Sequence, residues 1–289
     1  MSSAADLTTR SARIRLQRGR TAVEIAPGVG GRISALELDG WDLFRRDGWT
    51  DNEWGSFVMA PWAGRLRDAR FEWGGWTITL PANEGAHALH GLVTAVPWQV
   101  TSQGVHTVRL EKDLPTDVWP MGGRLVHTIA LQPTRLVMRL EAHAMLEPTP
   151  VIMGWHPWFR RRAVRLEEAS MGLAPESGDV TIDVRPLRRL DLDEDRIPTG
   201  LLLPPRDDPQ DDVLVGLTEA PVIRWPGGPR LTLHASGAQA WTVYTENKDG
   251  VCVEPMTGVP DGLNGGVLGD PPVARALAPL SATFEIAWG

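Results

Sequence analysis

The chain has 289 residues, a formal net charge of −7, a hydrophobic content of 42% and one cysteine, Cys252. That length can bury a substantial core in one large β domain or two ordinary ones, and no apolar run is long enough to span a bilayer. The acidic balance, with arginines scattered along the chain, disfavours nucleic acid as a partner, and a single cysteine excludes an intramolecular disulfide. The opening residues Met1 to Asp6 lack a basic region followed by an apolar stretch. The expectation is therefore a cytoplasmic protein with no secretory signal and no membrane association.

Short alternating or β-branched runs recur along the whole chain, bounded by Gly, Pro, Asn or Asp. The first are Arg13–Leu16, Thr21–Ile25 and Arg32–Leu38, followed by Trp76–Leu80, Trp98–Thr101 and Thr107–Glu111. Arg124–Leu131 and Arg135–His143, joined at Gln132-Pro133-Thr134, read as a hairpin. Later strands are expected at Val151–His156, Leu231–His234, Ala240–Tyr244, Val251–Glu254 and Ala282–Trp288. With 30 Gly and 24 Pro spread throughout, helices of any length would be interrupted repeatedly. The fold expected is all-β, with antiparallel sheets packed face to face. The stretch from Asp191 to Asp212, rich in Pro and Asp, reads as a long loop within one domain spanning 1–289.

Four segments carry polar groups in apolar settings. Arg65 ends Ala60-Pro61-Trp62-Ala63-Gly64-Arg65, where its planar fork of donors suits either sugar hydroxyls or solvent. His87 and His90 lie three apart, but flanking glycines and the lack of a matching ligand spacing argue against a metal site. One of the two pointing into a pocket is the better reading. His156, between Trp155 and Trp158, is either a proton-transfer group beside an aromatic wall or a buried core histidine. Strand alternation puts it on one face with Trp158 and puts Trp155 on the other. Glu254 shares a face with Cys252 at the end of Val251-Cys252-Val253-Glu254-Pro255, and calls either for a ligand or for solvent. The remaining histidines have no acidic neighbour in sequence, and no nucleophile elbow or phosphate loop is present.

In order along nearly the whole chain, these segments resemble the aldose 1-epimerase (mutarotase) family. The resemblance rests on the element ending in Arg65, Leu89-His90-Gly91 with Trp98 downstream, Gly154 to Phe159, and Val251 to Pro255 leading to Pro260-Asp261 and Asn264. It implies a large antiparallel β-sandwich and anomer interconversion of an aldohexose without cofactor or metal. Its partner would be a small-molecule monosaccharide, and the protein a monomer or homodimer. By the same resemblance Glu254 is the general base for the anomeric hydroxyl and His156 the acid that protonates the ring oxygen. His90 helps to hold and polarise the sugar, and Arg65 and Asp211 bind it, Asp211 being favoured over Asp212. Gly64 stands where the family has Asn, and Trp158 where Tyr or Phe is frequent, offering a stacking platform.

A free carboxylate near pKa 4.3 is ionised at neutral pH, and an imidazole near 6.5 gives up a proton readily, so about these values suit base and acid. Two alternatives stand beside this reading. One is a hexose-6-phosphate 1-epimerase, which needs a cationic phosphate subsite that no motif locates. The other is a non-catalytic sugar-binding protein of the same fold, against which the presence of both Glu254 and His156 argues.

Overall fold

The structure is a computed structural model that describes residues 12–48, 50–144, 147–171 and 176–289; Met1 to Asp6 lie outside these. Two large antiparallel sheets dominate. The first, of eleven strands, runs Ile14–Arg18, Thr21–Ala26, Arg32–Leu38, Trp41–Phe44, Gly154–Arg165, Gly250–Met256, Ala240–Tyr244, Asp211–Leu217, Pro186–Leu192 and Pro198–Leu203. Ser56–Met59 lies off this path and pairs with Gly154–Arg165 and Arg32–Leu38. The second, of eight strands, runs Gln99–Gln103, Thr107–Asp113, Arg124–Leu131, Arg135–His143, Leu280–Ala287, Arg230–Ser236, Val222–Arg224 and Thr181–Asp183.

Period-2 patterning drives this arrangement, because each strand must hide one face. The hairpin pairs Arg124 with His143 through to Leu131 with Leu136, and buries alternate residues of Arg135–His143 throughout. Buried residues of both sheets form one continuous cluster that includes Leu136, Met138, Leu140, Trp155, Trp241 and Phe284. Trp155 crosses this core, with its ring centroid 5.8 Å from that of Phe284. Its indole N–H donates to Nε2 of His127, on the opposite sheet, at 3.2 Å. Burial pushes the His127 pKa down to about 3, so the ring is neutral and free to accept.

Two sequence expectations are corrected. The strand expected at Val151–His156 begins at Gly154 and continues through Pro157 to Arg165. Residues before Gly154 bond elsewhere: Val151 N–H donates to Pro272 O, Ile152 N–H to Pro61 O, and Met153 N–H to Thr257 Oγ1. Pro157 is the last residue paired with Ser56–Met59 before the strand's neighbour changes to Trp41–Phe44, and on the other side the pairing with Gly250–Met256 is interrupted between Gly154 and Trp158, where a missing N–H is tolerated.

The stretch Asp191 to Asp212 is not one long loop. It contains the strand Pro198–Leu203 and the start of Asp211–Leu217. Pro198–Leu203 is the outermost strand of its sheet, the position where proline costs least. The turn before it is closed by Asp193, whose Oδ1 accepts from the N–H groups of Asp195 and Ile197, both at 3.0 Å.

Replacing Trp155 by Phe keeps the core apolar and leaves Nε2 of His127 without its donor. Urea unfolding of Trp155→Phe is expected to show a loss of about 1–3 kcal/mol. An unchanged midpoint would mean that the cross-sheet hydrogen bond contributes nothing.

Candidate active site

Strand register assembles the candidate residues on the face of the eleven-stranded sheet that points away from Trp155. Trp158 lies opposite Cys252, Cys252 opposite Tyr244, and Tyr244 opposite Asp211. Directly opposed residues project to the same side, so these four form one row across four strands. Two residues along, Phe57 opposes His156 and Glu254 opposes Thr242. His156 stands midway between the pairs Gly154–Met256 and Trp158–Cys252, which sets it against Glu254. Nε2 of His156 is 3.4 Å from Oε1 of Glu254, and both side chains are more than nine-tenths buried.

Two aromatic rings lie nearly parallel to the imidazole. Phe57 stacks at 4.7 Å between centroids and Trp158 at 5.5 Å. The His90 ring meets His156 edge-on at 5.0 Å. Trp158 is fixed in turn by its indole N–H, which donates to Asn52 O at 2.7 Å, and by the Arg45 guanidinium 5.2 Å from its ring centre. Tyr244 packs edge-on against it.

His90 reaches this place from a strained backbone. Its φ of +60° is left-handed, a region that non-glycine residues visit rarely and mostly where surrounding structure over-determines them. The clamp is visible on either side. His90 N–H donates to Gly64 O, Leu92 N–H donates to Ala60 O, and Arg65 pairs with Leu89. Gly91, at φ +82°, passes so close to Ala60 that an added Cβ would lie 2.0 Å from its carbonyl oxygen. The glycine that replaces the family's Asn before the arginine has a similar cause. Gly64 has φ +70°, and a Cβ there would sit 2.7 Å from Cγ of Pro260. His87 turns away instead: its Nδ1 accepts from Asp68 N–H at 3.1 Å, and its Nε2 lies 3.5 Å from Asp195. Of the two histidines in that segment, His90 is the one beside His156.

Charged groups sit at the rim. Arg65 pairs with Glu84 at 3.1 Å, and Asp211 lies 3.4 Å from Arg196, which also reaches Glu246. The field of Asp211 is felt at Glu254, and that of Arg65 at both His90 and Asp211. Asp212, the next residue along the strand, is buried away from them and accepts from Gln210 N–H, with Arg189 and Arg206 nearby. The broad surface cavity of about 810 Å3 walled by Trp73, Trp76 and Met121 lies apart from these residues. One of about 450 Å3 opens against Arg65, Glu84 and Arg196.

Burial overturns the free-solution picture of the acid and base. Loss of solvent pushes Glu254 well above the usual carboxylate range, and the nearby negative charge of Asp211 pushes it further. Loss of solvent likewise pushes His156 well below the ordinary imidazole value, with His90 and Arg32 adding to the effect. His90 falls to about 3, from burial first and Arg65 second. Asp211 is raised by burial, against the pull of Arg196. Both directions favour a protonated carboxyl beside a neutral imidazole over a buried ion pair.

Phe57, Arg45 and Tyr244 were not singled out from sequence. Phe57 lies in Ser56–Met59 and Arg45 just past the end of Trp41–Phe44, and only the pairing of distant strands brings them beside His156 and Trp158. Tyr244 was within a predicted strand and is the only tyrosine of the chain, a compositional oddity that could have marked it.

With this geometry in hand, the chain can be set beside known proteins. The aldose 1-epimerase family profile matches residues 12–266. No curated protein matches the sequence. Among solved structures, a galactose mutarotase-like protein from Clostridium acetobutylicum is similar with a TM-score of 0.79 at 16% identity, over 95% of this chain and 94% of that one. An aldose epimerase homologue from C. elegans gives 0.78 at 13% identity, over 96% and 98%. Galactose 1-epimerase from Lactobacillus acidophilus NCFM gives 0.74 at 17% identity, over 96% and 94%. At these identities the structural likeness speaks for the fold. The protein is a β-sandwich of the galactose mutarotase-like kind. By the profile match it belongs to the aldose 1-epimerase family and is an isomerase of the mutarotase type.

Two outcomes test the local account. Gly91→Ala forces a methyl into the Ala60 carbonyl and is expected to cost about 3 kcal/mol or more in urea unfolding; a neutral substitution would contradict the close approach. The second concerns pH. Because the folded-state pKa of Glu254 is raised, the stability tied to its proton is complete below the unfolded value near 4.5 and drains away as pH rises through the folded value. Glu254→Gln, which cannot ionise, should gain thermal stability over the wild type increasingly as pH rises above about 4.5. Parallel midpoint-against-pH curves for the two proteins would refute the raised carboxyl.

Proposed function

We propose that this protein interconverts the α and β anomers of an unphosphorylated aldohexose of the glucose or galactose type, with Glu254 and His156 as the proton-transfer pair. The observation that carries the proposal is the 3.4 Å contact between the two groups, buried together on the sheet face. Anomerisation has no net proton demand. A base removes the proton of the anomeric hydroxyl, an acid protonates the ring oxygen, and the ring opens to the aldehyde. Rotation about the bond to the next carbon and reclosure, with the roles exchanged, yields the other anomer. A pair that holds one proton suffices for the whole cycle.

The displaced proton affinities give this chemistry a direction. The cyclic sugar requires carboxylate and imidazolium; ring opening converts them to carboxylic acid and imidazole. The resting pair reaches that ionic form by passing its proton from Glu254 to His156, a transfer that the desolvated site opposes, and ring opening returns the pair to its neutral form. Trp158 offers a flat apolar face to the sugar ring, His90 a neutral imidazole to an oxygen, and Arg65 and Asp211 a donor and an acceptor to hydroxyls. The rim arginines Arg65 and Arg196 are already matched by Glu84, Asp211 and Glu246, which favours a neutral sugar over a phosphorylated one.

Polarimetry on freshly dissolved α-glucose and α-galactose should show relaxation faster than the buffer blank, with glucose 6-phosphate a poorer substrate. Rotation that relaxes at the blank rate for several aldoses defeats the reading. Glu254→Gln should lose about 10²–10⁴ of kcat/KM, while Asp211→Asn should act chiefly through KM and Asp212→Asn far less. A Glu254→Gln enzyme near wild-type rate would remove that residue from the base role.

A further inference from the structure

Cys252 has no part in the proposed proton transfer, yet it lies on the same strand and face as Glu254, diagonal to His156. One donor atom from each of His156, Cys252 and Glu254 falls within 4.8 Å of the other two, and all three residues are buried. Among the described residues no other group of three such donors is gathered this closely. We propose that His156, Cys252 and Glu254 form a three-ligand site for a divalent cation of the zinc class, and that its occupation shuts the anomerisation site.

The donor set decides the class of ion. Thiolate, imidazole and carboxylate suit zinc and its tetrahedral surrogate cobalt(II), whereas magnesium and calcium want an all-oxygen shell. Zinc bonds of about 2.0–2.3 Å separate neighbouring tetrahedral ligands by roughly 3.5 Å. His156 and Glu254 already stand 3.4 Å apart, and the longest donor separation has to contract by about 1 Å. The register explains the proximity: Cys252 and Glu254 are two residues apart on one strand, and His156 faces them from the next. The fourth position of a tetrahedral ion is left for water.

Charge and protons balance without any co-reactant. The ion forms bonds to the Cys252 sulfur, a Glu254 oxygen and a His156 nitrogen, and it displaces the thiol proton and the carboxyl proton into solvent. Two positive charges are then matched by one thiolate and one carboxylate, so the buried complex is neutral overall. Because two protons leave as the ion binds, binding is favoured by rising pH. Ion and sugar then compete, because the ion occupies both members of the proton-transfer pair. The metal site stands on geometry alone; only this competition rests on the proposed epimerase reading.

The test is a cobalt(II) titration of the full-length protein, followed by absorbance. Cys252 is the only cysteine of the chain, so a thiolate-to-cobalt charge-transfer band can arise from no other residue. The expected result is one equivalent of cobalt with that band and tetrahedral visible bands, displaced by zinc, with about two protons released per ion in paired-buffer calorimetry. Loss of a partner one bond further out from a metal already costs 10–100-fold, so Cys252→Ser and Glu254→Gln should each weaken zinc by roughly 100-fold or more. No thiolate band at saturating cobalt, or a band unchanged in Cys252→Ser, overturns the site, and the wild-type titration alone decides this if a variant misfolds. A band whose midpoint is untouched by glucose or galactose upholds the metal site and counts against the sugar reading instead.

Discussion

The contact between His156 and Glu254 is the interaction on which the rest of the site depends, and its defining feature is desolvation. In water near neutral pH the carboxylate alone would be charged and the imidazole partly so. Side by side and more than nine-tenths buried, they are biased toward the neutral pair, because taking two ions out of water costs several kcal/mol that their attraction only partly returns. Phe57 and Trp158, nearly parallel to the imidazole, and His90, perpendicular to it, pack around the ring and keep water from it. Rim charges then shape the field without neutralising the pair: Asp211 raises Glu254 further, and Arg65 acts on His90 and Asp211.

The sandwich supplies the rigidity that such a pair needs. A single strand, Gly154–Arg165, sends Trp155 into the core and His156 to the site, so the residue that ties the two sheets together is adjacent to the residue that handles the proton. A one-residue slip of this strand would exchange them and leave neither function in place. The clamp around His90 works in the same spirit. A left-handed histidine is held by a glycine that only just clears Ala60, and the strain is concentrated beside the pair. Acid sensitivity follows from this architecture, since His90 and His127 both fall to about 3 in the folded chain and both must be charged as it unfolds at low pH.

Much of this was legible in the chain itself, because period-2 patterning survives in strands such as Arg32–Leu38 and Arg124–Leu131, whose limits match the reading residue for residue. It failed where proline misled it: Pro157 sits inside a strand at a change of partner, and Pro198 opens an edge strand, neither of which local composition distinguishes from a loop. Glu254, His156, His90, Arg65, Asp211 and Trp158 are candidates that short ordered motifs nominate, and the structure sets Glu254, His90 and Trp158 beside His156. What the motifs do not carry is environment. Free-solution proton affinities miss the directions in which burial moves the pair, since burial is a property of register and packing. Phe57, Tyr244 and Arg45 became visible only once strands far apart in sequence were aligned.

The shared proton is the claim from which the proposed chemistry follows, and infrared difference spectroscopy of wild type against Glu254→Gln at neutral pH reads it directly. The account predicts a protonated-carboxyl C=O band in the wild type that is missing from the variant and shifts in heavy water. A difference spectrum that instead shows only the symmetric and antisymmetric stretches of an ionised carboxylate would contradict it.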